Sequence, residues 1–297
     1  MATFHAPPTG PISTASRDLG KSHTQSGWRV STHKYPICNA TEINAMTEAL
    51  GIAPPEMIFG NNAVRITHVA SGFTVAFTAQ DALDVVDKTG ATMLKVAYSE
   101  EWQKMREKLS EEIKEVIRPF DWSYSSSWKG RVDGGGAAQL VAVGEDQGIP
   151  YEKLRRPDPI LLFDEVVLYE DELADNGIAV MSVKVRVMPE RLLVLQRFFL
   201  RLDGVVVRIR DTRVYVEFAT GEVIREYVSK EAKYQDVKKV RLDPRRPPNF
   251  RPHRGTDRDQ KFAMYPPDDI PSLLRDPNQL VDVLPIIETT RERTVVK

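Results

Sequence analysis

The sequence predicts an α+β protein whose core is a mainly antiparallel β-sheet in two sandwich-like layers, with short helices at the periphery. The stretch from Ile160 to Glu217 holds the longest apolar runs of the chain and is rich in Val, Leu, Ile, Phe and Tyr, which favour strands. Turn residues at Asn176-Gly177, Pro189 and Asp203-Gly204 divide it, so it predicts four consecutive strands in the middle of an antiparallel sheet.

The second of these strands shows how the sheet is oriented. In the run SVKVRV the three valines share one face, whereas Ser182, Lys184 and Arg186 share the other, as a half-buried strand requires. Asp203-Gly204 separates two apolar runs and predicts a two-residue hairpin turn with both residues at positive φ. That turn would fix the register of the third and fourth strands.

The N-terminal third predicts a disordered arm followed by a strand and a helix. Residues 1–26 are rich in Ser, Thr, Pro and Gly and have little to bury, so we expect them to be disordered. Residues 28–34 form a first predicted strand. Asn39 and Glu42 have the spacing of a capping box and Gly51 closes the segment, which predicts a short amphipathic helix between them.

The next segments predict a hairpin, two helices and an edge strand. Residues 63–69 and 73–79 alternate and form the hairpin. Residues 81–88 have the apolar spacing of a short helix, and residues 99–117 predict a longer one with Ser99 as its cap. Residues 121–130 are aromatic and polar by turns, which predicts an edge strand.

The domain organisation follows from composition. One β-rich domain spans residues 27–235 and includes a further strand at 222–229. Residues 236–267 are rich in Arg and Pro with almost no aliphatic residues, which predicts a mobile basic insertion. A C-terminal helix that packs back on the domain is predicted within 268–288, followed by a charged tail at 289–297.

Composition excludes several classes of protein. The chain has 297 residues, 41% of them hydrophobic, and a net charge of −1, so it can bury a large core and is not globally basic. Its single cysteine, Cys38, excludes an internal disulfide and a cysteine-rich zinc site. With no apolar leader and no apolar run long enough to span a bilayer, we expect a soluble, cytoplasmic protein that does not bind membranes.

No catalytic motif is present. The sequence lacks the phosphate-binding, dinucleotide-binding, zinc-protease and nucleophile-elbow patterns, and its five histidines are scattered. The acidic run FDEVVLYEDELAD predicts either a solvated strand end or an interaction surface. We therefore expect no catalytic residue, no metal, no cofactor and no enzymatic activity.

The charge pattern of the central strands is the strongest functional signal. Between Lys184 and Arg213 there are eight basic residues against three acids, and strand alternation predicts that many of them share one face. One interpretation is a solvated outer face. The other is a basic strip that binds an acidic peptide or a terminal carboxylate, because Arg holds carboxylates through paired hydrogen bonds.

Several blocks, in order, resemble the TIPRL family, the TOR signalling pathway regulator-like proteins. The resemblance covers Trp28 to Lys233, pauses across the basic insertion and resumes at DPNQLVDVLPI. The blocks before the pause are PPEMIFGNNAVRITH, SGFTVAFTAQDAL, MLKVAYSEEWQ, EVIRPFDWSY, FDEVVLYEDELADNGIAVMSVKVRVMP, RFFLRLDGVVVRIRDTRVY and REYVSKE.

The resemblance implies a non-enzymatic regulator. It implies a largely antiparallel β core, binding to the catalytic subunits of type 2A, type 4 and type 6 protein phosphatases, and a cleft that accepts the phosphatase's C-terminal tail. Carried over by matching blocks, the residues implied at the phosphatase surface are Asp81, Ile149, Ile209 and Asp211. To these we add, as the predicted tail-binding strip, Lys184, Arg186, Arg201, Arg208 and Arg213.

Three further expectations and one alternative function complete the interpretation. We expect a monomer, and we expect Asp211→Leu to weaken phosphatase binding without unfolding the protein. The alternative function is a nucleic-acid-binding module that uses the basic loop at 238–258, although that loop nearly lacks the aromatic residues that stack on bases. We expect no nucleic acid among the partners.

Overall fold

The computed structural model describes residues 18–89, 121–134, 138–238 and 274–297. These residues form two antiparallel sheets, which confirms the predicted α+β class. The smaller sheet has the strand order β1-β2-β4-β5-β6. Its strands are β1 (Ser22–Gln25), β2 (Trp28–His33), β4 (Ala63–His68), β5 (Thr74–Thr78) and β6 (Arg131–Asp133).

The larger sheet is built around a meander. Its order is β3-β8-β9-β10-β11-β12-β13-β7, so that the five strands from β8 to β12 pair with their neighbours in sequence. The strands are β3 (Met57–Ile58), β7 (Val141–Ala142), β8 (Leu162–Asp171), β9 (Gly177–Val187), β10 (Arg191–Leu202), β11 (Val206–Glu217), β12 (Glu222–Lys233) and β13 (Ile286–Val295).

The α-helices of the described residues are short and flank the sheets. The longest has eleven residues, and no described helix is long and apolar enough to cross a membrane. The helices are α1 (Ala40–Leu50), α2 (Ala79–Asp84), α3 (Tyr151–Leu154), α4 (Tyr234–Lys238) and α5 (Pro277–Val283).

The four strands predicted between Ile160 and Glu217 are β8 to β11, and the predicted alternation in β9 is confirmed. Val183, Val185 and Val187 are buried, while the residues between them are half-buried on the other side. The turn between β10 and β11 differs from the prediction. Leu202 pairs with Val206, so three residues form the loop, and Gly204 alone among them has a positive φ, of 77°.

Local signals before the meander also hold. The Asn39 side chain accepts from the backbone N–H of Glu42, whose carboxylate accepts from the backbone N–H of Asn39 at 2.8 Å, which completes the predicted capping box of α1. Gly51 ends that helix in the left-handed conformation. The predicted hairpin is β4 paired with β5. The helix predicted at 81–88 is observed as α2, which begins two residues earlier, at Ala79, and ends at Asp84.

The main core lies between the two sheets. It contains buried side chains from both, such as Val30 and Phe77 of the smaller sheet and Val185 and Leu200 of the larger one. We call this side of the larger sheet its core face and the opposite side its outer face. Because side chains alternate along each strand, the outer face carries the intervening residues.

Two smaller apolar clusters cover parts of the outer face. The α5 cluster joins Leu280 of α5, Val237 of α4 and Leu274 to Phe199 and Ile209 of the sheet. The α3 cluster is centred on three buried side chains that pack with residues of α3: Ile149, Tyr215 and Ile224. In the structure α5 thus packs on the outer face of the larger sheet.

Four expectations differ from the structure. Residues 22–25, predicted within the disordered arm, form β1. Residues 121–130 are buried from Asp121 to Ser126 but form no strand, because Asp121 Oδ1 instead accepts from the backbone N–H and hydroxyl of Ser123. Residues 236–238, assigned to the insertion, belong to α4, and the predicted tail at 289–297 lies mostly in β13.

Some expectations fall outside the described residues. These are the helix at 99–117, residues 1–17 of the N-terminal arm and residues 239–267 of the basic insertion.

Candidate functional site

A cleft of about 570 Å³ opens on the outer face of the larger sheet; we call it the outer cleft. Its apolar floor comes from β9 and β10, and the N-terminal end of α5 forms one wall. Both carboxylates and cations line its rim. The floor residues are Ile178, Val180, Leu195 and Phe199, and the charged lining residues are Glu165, Glu172, Asp175, Asp203, Lys184, Arg197, Arg201 and Arg275.

The floor is accessible because the two apolar clusters on the outer face leave part of the sheet uncovered. The α5 cluster covers the sheet around Ile209, and the α3 cluster covers it around Tyr215. On β10, Leu195 lies between Leu193, which packs against the α3 cluster, and Phe199 of the α5 cluster, and it remains half-buried. An apolar floor with charged side chains around it suits an extended peptide, which presents both apolar side chains and polar groups.

An ion network at one side of the outer cleft attaches α5 to the sheet. Arg197 donates from Nε and Nη2 to the two carboxylate oxygens of Asp211 at 2.7 and 2.8 Å. Arg213 Nη2 donates to Asp211 Oδ2 at 2.7 Å, and Arg197 Nη1 donates to Asn278 Oδ1 of α5 at 3.0 Å. The network therefore joins two strands and a helix through one carboxylate.

Asp211 is ionised in this setting. Burial alone favours the neutral carboxyl, but the hydrogen bond from Arg197 and the charge of Arg213 outweigh it and hold the pKa of Asp211 below its ordinary value of 3.8. In turn, although burial lowers the pKa of Arg213, the charge of Asp211 raises it above its ordinary value. Asp211 is only 1% exposed, so this is a structural ion pair.

The predicted basic strip is largely neutralised. Six of the eight basic residues between Lys184 and Arg213 form ion pairs, and six of the eight lie on the outer face. Arg208 is a correction to the predicted strip, since it points to the core face and bonds Ser125 Oγ at 2.6 Å. Asp211 pairs with both Arg197 and Arg213. The other pairs are Lys184 with Glu165, Arg201 with Asp203 and Arg208 with Glu231.

Arg186 is the exception on the outer face. Among the described residues no carboxylate lies within ion-pair distance of its guanidinium, and its Nε is buried without a hydrogen-bond partner. Its cross-strand neighbours are Phe163 of β8 and Leu193 of β10.

The structure does not gather the nine predicted site residues into one surface. Lys184 and Arg201 line the outer cleft, and Arg186 and Arg213 lie on the same face. Asp81 is in α2 beside the smaller sheet, on the far side of the main core, where its carboxylate accepts from Arg131 Nη1 at 2.9 Å.

The other three predicted contact residues are buried. Ile209 lies beneath α5, Ile149 beneath α3, and Asp211 between them. In the chain on its own these side chains lie on the outer face, where the helices and the ion network cover them. Any influence of theirs on a partner would act through the residues that they position.

Sequence reasoning missed the cleft residues supplied by chain segments far apart. Asn278 reaches the outer cleft from α5 and Arg275 from the turn just before it, while Glu172 and Asp175 reach it from the turn after β8. The outward positions of β9 and β10 gave a signal for Val180 and Leu195, since both alternate with buried residues. No sequence signal could place α5 over that part of the sheet.

No group of metal-ligating side chains occurs within the described ranges. Cys38 is buried, and burial raises the pKa of its thiol, which accepts a hydrogen bond from the backbone N–H of Gly60. His68 contacts Ser71 and Trp28. These two residues are part of the packed fold.

Comparisons with known proteins show the family of this chain. The TIP41-like family matches residues 57–238. The TIP41-like protein of Homo sapiens is 38% identical over 269 residues, which cover 90% of this chain and 87% of that protein.

Two fungal relatives carry names that state an activity. The type 2A phosphatase activator TIP41 of Saccharomyces cerevisiae is 39% identical over 242 residues, 76% of this chain and 67% of that protein. The type 2A phosphatase activator tip41 of Schizosaccharomyces pombe is 34% identical over 210 residues, 71% of this chain and 81% of that protein.

Proposed function

This chain belongs to the TIP41-like family, as its resemblance to the TIPRL proteins predicted, and on that premise we propose that it is a non-enzymatic regulator that binds the catalytic subunit of type 2A family protein phosphatases. The proposal extends to the type 2A, type 4 and type 6 enzymes and to a role in TOR signalling. The names of the two fungal relatives support the regulatory role.

The outer cleft is the observation that carries the proposal. We propose that it holds the C-terminal tail of the phosphatase catalytic subunit in an extended conformation. Its apolar floor suits hydrophobic side chains, while Arg201 and Arg275 at the rim suit a terminal carboxylate. Arg275 supports this role because no ion pair occupies it among the residues that the structure describes.

Regulation would follow from differential affinity. A protein that binds one form of the catalytic subunit more tightly than another shifts the population toward the form it prefers. The tail in the outer cleft would supply part of the affinity. The surface around the cleft would contact the rest of the catalytic subunit and distinguish its forms. The direction of the effect on activity depends on which form is bound.

Binding to purified catalytic subunit, with and without its C-terminal tail, tests the proposal. We expect removal of the tail to weaken binding at least about tenfold, measured by biolayer interferometry. Leu195→Glu places a charge on the floor of the outer cleft and should weaken binding of the full-length catalytic subunit by the same factor as removal of the tail. Val69→Ser, which changes an apolar side chain 51% exposed in the β4–β5 turn, is the matched control.

The outcomes separate the parts of the proposal. Tight binding that ignores both the tail and Leu195→Glu would keep the regulator and reject the outer cleft as the tail site. A lack of any binding to the type 2A, type 4 and type 6 subunits would reject the regulator.

A further inference from the structure

The outer face continues beyond the outer cleft along β8 and β9. The cross-strand pair Glu165 and Lys184 lines the cleft, and the next outward pair on the same two strands is Phe163 opposite Arg186. Side chains two residues apart on a strand point to the same side. Phe163 and Arg186 therefore extend the wall of the cleft toward the beginning of β8.

This extension exposes large apolar side chains. Phe163 is 52% exposed, and Ile160 and Leu161 just before it are also exposed. Three such residues within four positions form a patch, and apolar patches with polar edges mark sites of protein interaction. Polar edges are present, because Arg186 lies on one side and the exposed Glu165 follows along the strand.

Arg186 carries a positive charge for which the described residues provide no counter-ion. The other five cations on the outer face between positions 184 and 213 each face a carboxylate, whereas Arg186 faces Phe163 and Leu193. A half-buried guanidinium without a partner is costly, and a carboxylate delivered from outside would remove that cost.

We propose that Leu161, Phe163 and Arg186 form a second docking surface, the β8 ledge, for the segment of the phosphatase catalytic subunit that directly precedes the residues held in the outer cleft. The segment places an acidic side chain on Arg186 and an apolar side chain against Phe163. This inference rests on the proposed function, since the same polypeptide occupies the cleft and the ledge.

Continuity and charge favour this occupant over others. The ledge begins one cross-strand pair from the cleft, so a polypeptide that leaves the cleft in an extended conformation reaches Leu161 within about 13 Å, the length of four residues. An unpaired arginine between apolar groups selects an acidic and apolar segment over a basic one. The selectivity of the protein would then depend on the residues before the tail as well as on the tail itself.

Peptides of two lengths test the ledge with the full-length protein. The short peptide would carry about the last six residues of the catalytic subunit, enough for the cleft, and the long one about the last twelve. Fluorescence anisotropy should give about tenfold tighter binding of the long peptide to the wild-type protein. Arg186→Gln and Phe163→Ser should each reduce that advantage to threefold or less, roughly, and leave short-peptide binding unchanged.

Matched controls exclude general effects. Arg29→Gln changes an exposed arginine on β2 of the smaller sheet, and Val69→Ser changes an exposed valine in the β4–β5 turn. Both should bind the two peptides as the wild-type protein does. The intact catalytic subunit should lose affinity for the two ledge variants and for neither control.

The outcomes distinguish the ledge from the cleft. Equal binding of both peptides by the wild-type protein, with no effect of either ledge variant on the intact subunit, overturns the ledge and leaves the cleft in place. Failure of the wild-type protein to bind the short peptide contradicts the tail site of the proposed function. A dimer in light scattering that Phe163→Ser converts to a monomer would assign the ledge to a contact between copies of this chain and overturn the inference.

Discussion

Arg197 and Arg186 occupy outward positions on neighbouring strands of the larger sheet, but their surroundings differ. Arg197 lies against α5, where it holds both oxygens of Asp211 and reaches Asn278. Arg186 lies on the uncovered side beside Phe163, and no carboxylate of the described residues lies within ion-pair distance of it. We call the first region the closed region and the second the open region of the outer face.

The difference teaches how one strand pattern serves two purposes. A cation that lies under a helix and is largely shielded from water requires a fixed counter-ion, because an unpaired charge there is destabilising. A cation on the part of the face that no helix covers keeps contact with water through part of its side chain and is available to bind a ligand. The same alternation of charged and apolar residues is therefore structural in the closed region and available for binding in the open region.

The largest expected effect tests the sheet that both regions share. Val185 is fully buried on the core face of β9, so Val185→Asp should bury an unpaired carboxylate and cost at least about 4 kcal/mol of unfolding free energy. Circular dichroism and urea unfolding would measure this. Ser182→Asp, on the outer face of the same strand, is the control and should cost less than about 1 kcal/mol. Equal losses would mean that the two faces of β9 are reversed.

The next prediction concerns the counter-ion of the closed region. Asp211→Leu leaves the half-buried Arg197 and Arg213 without their carboxylate, so we expect a loss of about 2–4 kcal/mol in urea unfolding. This revises the expectation from sequence that the substitution leaves the fold intact. Arg197→Met combined with Asp211→Leu should recover part of the loss. If Asp211→Leu were as stable as the wild type, the closed region would not depend on this carboxylate.

Acid should weaken the closed region through the same residue. The pKa of Asp211 is lower in the folded protein than its ordinary value of 3.8, so its contribution is fully present above that value and is lost as pH falls through the folded pKa. Urea unfolding between pH 7 and about pH 2.5 should therefore show a decline in stability below about pH 4. Asp211→Asn should make that decline shallower, and an unchanged slope would contradict the assignment.

The smallest effect on stability is expected in the open region. Phe163 is half-exposed and Arg186 has no partner to lose, so Phe163→Ser and Arg186→Gln should each change the unfolding free energy by less than about 0.5 kcal/mol. Thermal and urea unfolding would measure this beside the binding assays. A loss as large as that of Asp211→Leu would show that the open region is structural too.

Local signals in the sequence predicted much of the fold because each depends on a few adjacent residues. The alternation of β9, the capping box of α1 and the β4–β5 hairpin belong to this group. The turn after β10 was predicted with one residue too few, since Asp-Gly is compatible with loops of two or three residues. The buried segment at 121–126 could not be recognised, because it fills the core without strand partners.

The site was predictable only in part, because both faces of β11 are covered. In the run VVVRIR neither face is uniformly polar, so the sequence alone did not reveal that Arg208 turns toward the core face while Ile209 turns outward. The pairing of each cation with a carboxylate depends on cross-strand register and on the position of α5. Which arginine lacks a carboxylate partner therefore depends on contacts between segments far apart in the chain, and only the three-dimensional structure shows these contacts.

The α5 cluster also bears on protein engineering. Val237 and Leu274 both pack in it, so the two ends of the chain segment between them are held close together by apolar contacts. The position of α5 therefore depends on contacts at both of these residues, and an engineered change at Val237 or Leu274 should disturb the wall of the outer cleft that α5 forms.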